Sequence, residues 1–155
     1  MNEYKNINLD VILNNSEKER LKLKHPYVGS EHLLLALLKY KNSLTEFLLS
    51  YDLTYESFKR ELIQVVGQCK KDNPDSLYTP LLRKIIKRYE NKYKGNYNDQ
   101  NIYENLFISL LDEGEGIAIR IMLKMNIDLD DLYVTLKDKQ KISLMEESNK
   151  IGRAH

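Results

Sequence analysis

A repeat constrains this chain more than anything else in it. Leu9, Ile12 and Leu13 recur as Leu82, Ile85 and Ile86, an offset of about 73 residues. At the same offset Glu31 falls on Glu104, and the apolar run from Leu33 to Leu38 falls on Leu106 to Leu111. With one residue inserted, Leu53 and Phe58 fall on Ile127 and Leu132. A unit this short exposes apolar faces that it cannot bury well alone. Two such units are therefore expected to pack as a pseudo-twofold pair.

The periodicity inside each unit is helical. Apolar residues recur at spacings of three and four, and strict alternation is hard to find. A helix is predicted over about residues 6–23, closed by His25-Pro26-Tyr27 because a residue before proline avoids helical geometry. In "HPYVGSEHLLLALL" Ser30 reads as an N-cap, and Glu31 complements the helix start. The run from Leu33 onward is apolar nearly all round, as in a buried central helix. A short helix follows around Leu44 to Tyr51. Another starts after Thr54, carries Phe58, Leu62, Ile63 and Val66 on one face, and stops at Gly67. Beyond the polar "QCKKDNPDS" the pattern restarts. Thr79 reads as a cap with Pro80 in the first helical position, and "YENLFISLL" as a second central helix. "EGEG" reads as a helix–helix turn, then "IAIRIMLKM" and "IDLDDLYVTL" as two more helices, the last with Asp128 or Asp130 near its start. The expected fold is all-α, about eight helices in two repeats, over about 4–67 and 77–137. From about Asp138 to the end the periodicity is weak, and 138–155 reads as a linker or flexible tail.

Charge and cysteine content narrow the function. A hydrophobic fraction of 42% and a charged fraction of 30% suit a globular chain. A net charge of +1 gives no bulk electrostatic reason to bind nucleic acid or an acidic membrane. No apolar run approaches the about 18 residues of a membrane span. Cys69 has no second cysteine to pair with and reads as a free surface thiol. With a polar N-terminus in place of a signal peptide, a reducing cytoplasm is the expected location.

Motifs with chemistry are sparse. His25, Glu31 and His32 could form a metal site, but no H-E-x-x-H or Cys/His pair at ligand spacing supports it, and His32 reads better as a packing and hydrogen-bonding residue. The two acids of "EGEG" would repel a phosphate. Lys84, Lys87, Arg88, Lys92 and Lys94 form a basic stretch that reads as a solvated helix face, with docking to an acidic adaptor as the alternative. No G-x-x-x-x-G-K-[ST] phosphate loop is present.

Three segments, in order, resemble one family. "YVGSEHLLLALL" resembles the glycine-threonine-glutamate-histidine signature of the Clp ATPase N-terminal domain. "YTPLLRKII" resembles the start of that domain's second repeat. "LLDEGEGIAIRIMLKMNIDLDDL" resembles its "EGEG" stretch nearly position by position. The likeness covers roughly residues 4–137 and is closest to the ClpC-type branch of Gram-positive bacteria. It departs at Tyr40-Lys41-Asn42-Ser43, where the first repeat lacks "EGEG", and at Ile102-Tyr103-Glu104-Asn105, where the second lacks "GTEH".

The resemblance implies a recognition module without catalysis or cofactor of its own. Such domains bind protein substrates and adaptor proteins and pass clients to an ATPase ring and its partner protease. The chain is expected to be either an excised domain or a stand-alone version. In the ClpC-type branch each repeat carries a phosphoarginine pocket, a glutamate holding the guanidinium and a threonine helping to hold the phosphate. Carried over, one pocket would use Glu104 with Thr79, the other Glu31 with Asn6, where asparagine stands for the threonine. The chemistry is sound, since a helix start favours an anion and a carboxylate grips a guanidinium in bidentate fashion. Two rivals stand beside this reading. Both pockets could be vestigial beside an adaptor-docking surface, with Glu31 and Glu104 simple first-turn acids. The chain could also be a hydrolase using His32 and Glu31, against which stands the lack of a nucleophile motif.

Overall fold

The computed structural model describes residues 7–68, 77–93 and 99–153. Eight α-helices fill these segments: α1 Leu9–Leu23, α2 Ser30–Lys39, α3 Ser43–Leu48, α4 Tyr55–Val66, α5 Pro80–Lys92, α6 Ile102–Glu113, α7 Ile117–Lys124 and α8 Leu129–Arg153. A 3₁₀ turn, Leu49–Tyr51, extends α3. The all-α class is as expected, and α1–α4 correspond to α5–α8. Asn6, Cys69, Lys94 and the last two residues lie outside the described segments.

The caps explain most boundaries. The Asn8 side chain accepts from Val11 N–H at 3.0 Å and starts α1. Thr54 Oγ1 accepts from Ser57 N–H at the start of α4, and Thr79 Oγ1 from Leu82 N–H at the start of α5, each at 3.1 Å. At α2 the expectation needs correcting. Gly29 is the N-cap, and Ser30 is already helical. The capping role falls to His32, whose Nδ1 accepts from Gly29 N–H at 2.9 Å. That leaves the Ser30 hydroxyl free for another partner.

Both central helices are buried on every side. Residues 30–38 of α2 are all buried, as are 104–110 of α6. Five leucines of α2 contribute on the order of 10 kcal/mol of hydrophobic stabilisation, an upper figure because the unfolded chain already hides some apolar surface. Packing across the repeats supplies that burial. α2 touches α5, α6 and α7, and α6 touches α3, so neither repeat encloses its own core. Hydrogen bonds also join the repeats. Val28 N–H donates to Leu77 O and Thr79 N–H to Val28 O, both at 2.9 Å, an isolated parallel bridge between the segments leading into α2 and α5.

"EGEG" is the expected turn. Gly114 closes α6 in the left-handed region at φ 66°, and Gly116 starts α7 at φ 103°. A β-carbon on Gly116 would collide with the Leu81 side chain and lie 3.1 Å from Ser30 Oγ. The segment from Asp138 differs from its sequence reading. It continues α8 to Arg153 instead of fraying. Leu132 and Leu136 anchor that helix in the core, and the good helix formers that follow propagate it.

Gly114→Ala and Gly116→Ala should separate backbone strain from crowding. The first makes only an ordinary van der Waals contact, 3.7 Å from Leu111 O, and should lose about 1 kcal/mol of unfolding free energy for its left-handed φ. The second, in a region used almost only by glycine and against Leu81, should lose about 2–3 kcal/mol in urea unfolding.

Candidate functional site

Three helix starts converge where the repeats meet. Ser30 Oγ accepts from Ala118 N–H at 3.4 Å, so the first repeat supplies the cap that Gly116 cannot give α7. Leu81 of α5 packs on the same spot, and the Val28 bridge brings Thr79 beside it. The starts of α2, α5 and α7 thus share one corner, and their helix dipoles make it favourable to an anion.

Glu31 sits at this corner, only 6% exposed. Its carboxylate folds back over Gly29, so a β-carbon there would displace the Glu31 side chain from this position. Among the described residues no cationic side chain pairs with it. Burial pushes its pKa up, partly offset by its own backbone N–H. A carboxylate kept from water beside an anion-favouring corner suits a ligand with a cationic and an anionic end.

Glu104 occupies the equivalent position in the second repeat but has other company. Lys139 Nζ lies 2.8 Å from Oε2 and Gln140 Nε2 lies 3.2 Å from Oε1. Ser43, the first residue of α3, also hydrogen-bonds it. Burial works to raise its pKa, but Lys139, Ser43 and Gln140 together hold it below the ordinary value.

The expected pairing of residues therefore changes. Thr79 was matched with Glu104, and Asn6 with Glu31. The backbone bridge instead carries Thr79 to the start of α2, the helix of Glu31. The polar corners form between repeats because α2 faces α5 and α7, as α6 faces α3. Asn6 lies outside the described segments.

The two histidines beside Glu31 serve each other. Gly29 N–H donates to His32 Nδ1, which puts the proton of a neutral His32 on Nε2. That nitrogen lies 2.8 Å from His25 Nδ1, and His25 Nε2 lies 2.7 Å from Gly67 O. These bonds assign both tautomers. Ligand atoms of His25, Glu31 and His32 lie within 4.8 Å of one another, but each ring nitrogen already has a protein partner. Neither imidazole has a lone pair left for a cation, and His32 has none with which to act as a base. The buried Arg20 secures the same loop, donating to His25 O at 3.2 Å and pairing with Glu17.

The basic stretch of α5 is an exposed face. Lys84, Lys87, Arg88 and Lys92 line a shallow groove of about 580 Å³, which Asp112 and Glu113 also border. Arg88 Nε lies 2.7 Å from Glu113 Oε2. Sequence reasoning missed Ser43, Lys139 and Gln140. Ser43 was findable, since it lies at the repeat offset from Gly116. Lys139 and Gln140 were hidden by the linker reading, although they continue the spacing of Leu132 and Leu136.

Fold and site together define an all-α domain of two pseudo-repeats that builds its polar corners at the seam between them. The chain belongs to the family described as the Clp repeat (R) N-terminal domain, whose sequence pattern matches residues 7–103. It is similar to the ATP-dependent Clp protease ATP-binding subunit ClpC of Staphylococcus epidermidis, 26% identical over 145 residues, which cover 93% of this chain and 18% of that protein. The ClpC of Staphylococcus saprophyticus is also 26% identical, over 93% of this chain and 17% of its own length. That of Staphylococcus aureus (strain USA300) is 26% identical over 92% and 17%. The chain thus spans less than a fifth of these relatives. No helix among the described residues is long and apolar enough to cross a membrane.

The histidine pair predicts a pH dependence. Burial, then His25 and Arg20, lower the His32 pKa from 6.5 to about 3. Between those values the unfolded chain binds the proton and the folded chain does not, so stability falls as pH drops below 6.5. At pH 5 the loss should be about 2 kcal/mol relative to pH 7. The raised Glu31 pKa acts oppositely, adding stability as pH falls through its native value toward 4.5. His32→Gln keeps polar atoms without the titration. Urea unfolding at both pH values should show a smaller pH loss in the variant than in the parent by about that amount.

Proposed function

We propose that this chain is a recognition domain for protein substrates and adaptors of a Clp-type AAA+ unfoldase, and that its corner at Glu31 and Thr79 reads phosphoarginine. The observation that carries this reading is the buried Glu31 carboxylate with no cation among the described residues, placed where three helix starts meet. The guanidinium of the ligand pairs with that carboxylate in bidentate geometry. Its phosphate takes the free N–H groups and the Thr79 hydroxyl side of the α5 start. Free arginine lacks the anionic end, and phosphoserine lacks the planar cation.

The remaining roles follow from family membership. Residues 1–137 form the recognition body, and 138–155 connect it onward. The domain works in the cytoplasm without catalysis of its own, and delivers clients through the ATPase ring and protease of a full-length protein. The similarity to ClpC supports this assignment, and the hydrogen-bonded nitrogens of His32 argue against the hydrolase alternative.

Calorimetric titration of the chain with free phosphoarginine should show binding that arginine and phosphoserine do not match. Glu31→Gln should weaken it at least about tenfold, the scale of a lost hydrogen-bonded charge, and Thr79→Ala by less. No binding at millimolar ligand, with the helical spectrum intact, would sink the phosphoarginine reading. Adaptor docking would remain.

A further inference from the structure

Glu104 already holds a cation from its own chain. Lys139 Nζ sits 2.8 Å from one carboxylate oxygen, and Gln140 Nε2 bridges the other at 3.2 Å and Asn105 Oδ1 at 3.0 Å. Both residues belong to α8. That helix is anchored by the buried Leu132 and Leu136, and Lys139 and Gln140 lie one turn further along the same face. From Lys141 to Ser148 every side chain is exposed. Lys139 and Gln140 are therefore the last hold of the domain body on α8 among the described residues.

We infer that Lys139 is an internal occupant of the guanidinium position in the second pocket, and that a guanidinium ligand at Glu104 must displace it and release α8 beyond Leu136. This rests on the phosphoarginine reading above. The displacement is chemically reasonable. An ammonium offers Glu104 a point charge on one oxygen, and a guanidinium covers both with a planar fork. The fork replaces Lys139 and Gln140 together. The Lys139 side chain is 40% exposed, so it moves into water without stranding a buried charge. Glu31 has no such competitor among the described residues. The pockets are consequently unequal: the first fills without rearrangement, and the second fills only as α8 lets go. Occupancy of the second pocket is thereby converted into a change in the helix that leaves the domain.

Nuclear magnetic resonance titration of the ¹⁵N-labelled 155-residue chain with free phosphoarginine tests this. The amides of Gly29 and Ser30 report the first pocket, Asn105 the second, and Gln140 to Leu144 the release of α8. In the parent, Gly29 and Ser30 should saturate first, and Asn105 and the α8 amides should move together at higher ligand. Lys139→Ala should fill the second pocket at about fivefold lower ligand and leave the first unchanged. Lys139→Arg should keep it blocked. An Asn105 response that is the same in parent and Lys139→Ala overturns the displacement, as does saturation of Asn105 while α8 stays still. Silence at both pockets in parent and variant overturns the phosphoarginine reading itself, and the displacement with it. Saturation of Gly29 and Ser30 with Asn105 silent in Lys139→Ala overturns the displacement alone.

Discussion

The structure depends on one constraint: neither repeat can finish its own helices. α7 begins at a glycine with no side chain to cap it, and the cap comes from Ser30 of the other repeat, whose hydroxyl meets Ala118 N–H. α6 carries a buried glutamate in its first turn, and Ser43 of the other repeat satisfies part of it. The central helices α2 and α6 are apolar all round and must be enclosed by both units. The seam is thus a shared core with polar corners. Those corners gather helix starts from both sides, and candidate binding sites arise there as a by-product of completing the fold.

Buried polar groups then hold the corner at Glu31 rigid. A hydrogen-bonded chain runs from Gly29 N–H through His32 and His25 to Gly67 O, tying the start of α2 to the end of α4. Arg20 clamps the loop between α1 and α2 through His25 O. A fully satisfied network of this kind fixes geometry more than it adds net stability, since each bond replaces one with water. Gly29 leaves room for the Glu31 carboxylate to fold back over it, and the histidine three residues on accepts from its N–H.

Most of the fold was legible because period and punctuation agreed. Thr54, Thr79, Gly67 and the "EGEG" turn stand where capping chemistry puts them. Ser30 misled because a serine before an apolar run looks like a cap, and only the other repeat reveals its true partner. Glu31, Glu104 and Thr79 do stand at helix starts, but how those starts are grouped was not legible. Membership of one repeat pairs Thr79 with Glu104, but the bridge at Val28 and Tyr78 crosses the seam and carries Thr79 to the start of α2. Sequence periodicity carries no information about which unit's helix start faces which. The end of α8 was missed for a different reason. Beyond Leu136 it presents no apolar stripe to the body, so its helicity rests on local propensity and on the polar hold of Lys139 and Gln140.

Two glutamates at one repeat position have come to opposite electrostatic states. Glu31, with no cation beside it among the described residues, has its pKa raised by burial, partly offset by its own backbone N–H; Glu104, also buried, is held below the ordinary value by Lys139, Ser43 and Gln140. Desolvation is common to both, so the difference lies in neighbours supplied by other elements. A buried carboxylate without a cation is destabilising to keep, and a fold retains one where something outside the chain completes it. A buried carboxylate with a cation is locally complete and responds only to a better partner. Duplication gave the chain two equivalent acids, and the long helix α8, which has no extended counterpart in α4, removed the equivalence. In this domain the repeats therefore preserve the frame around the two acids, while the elements packed against them set the electrostatic state of each.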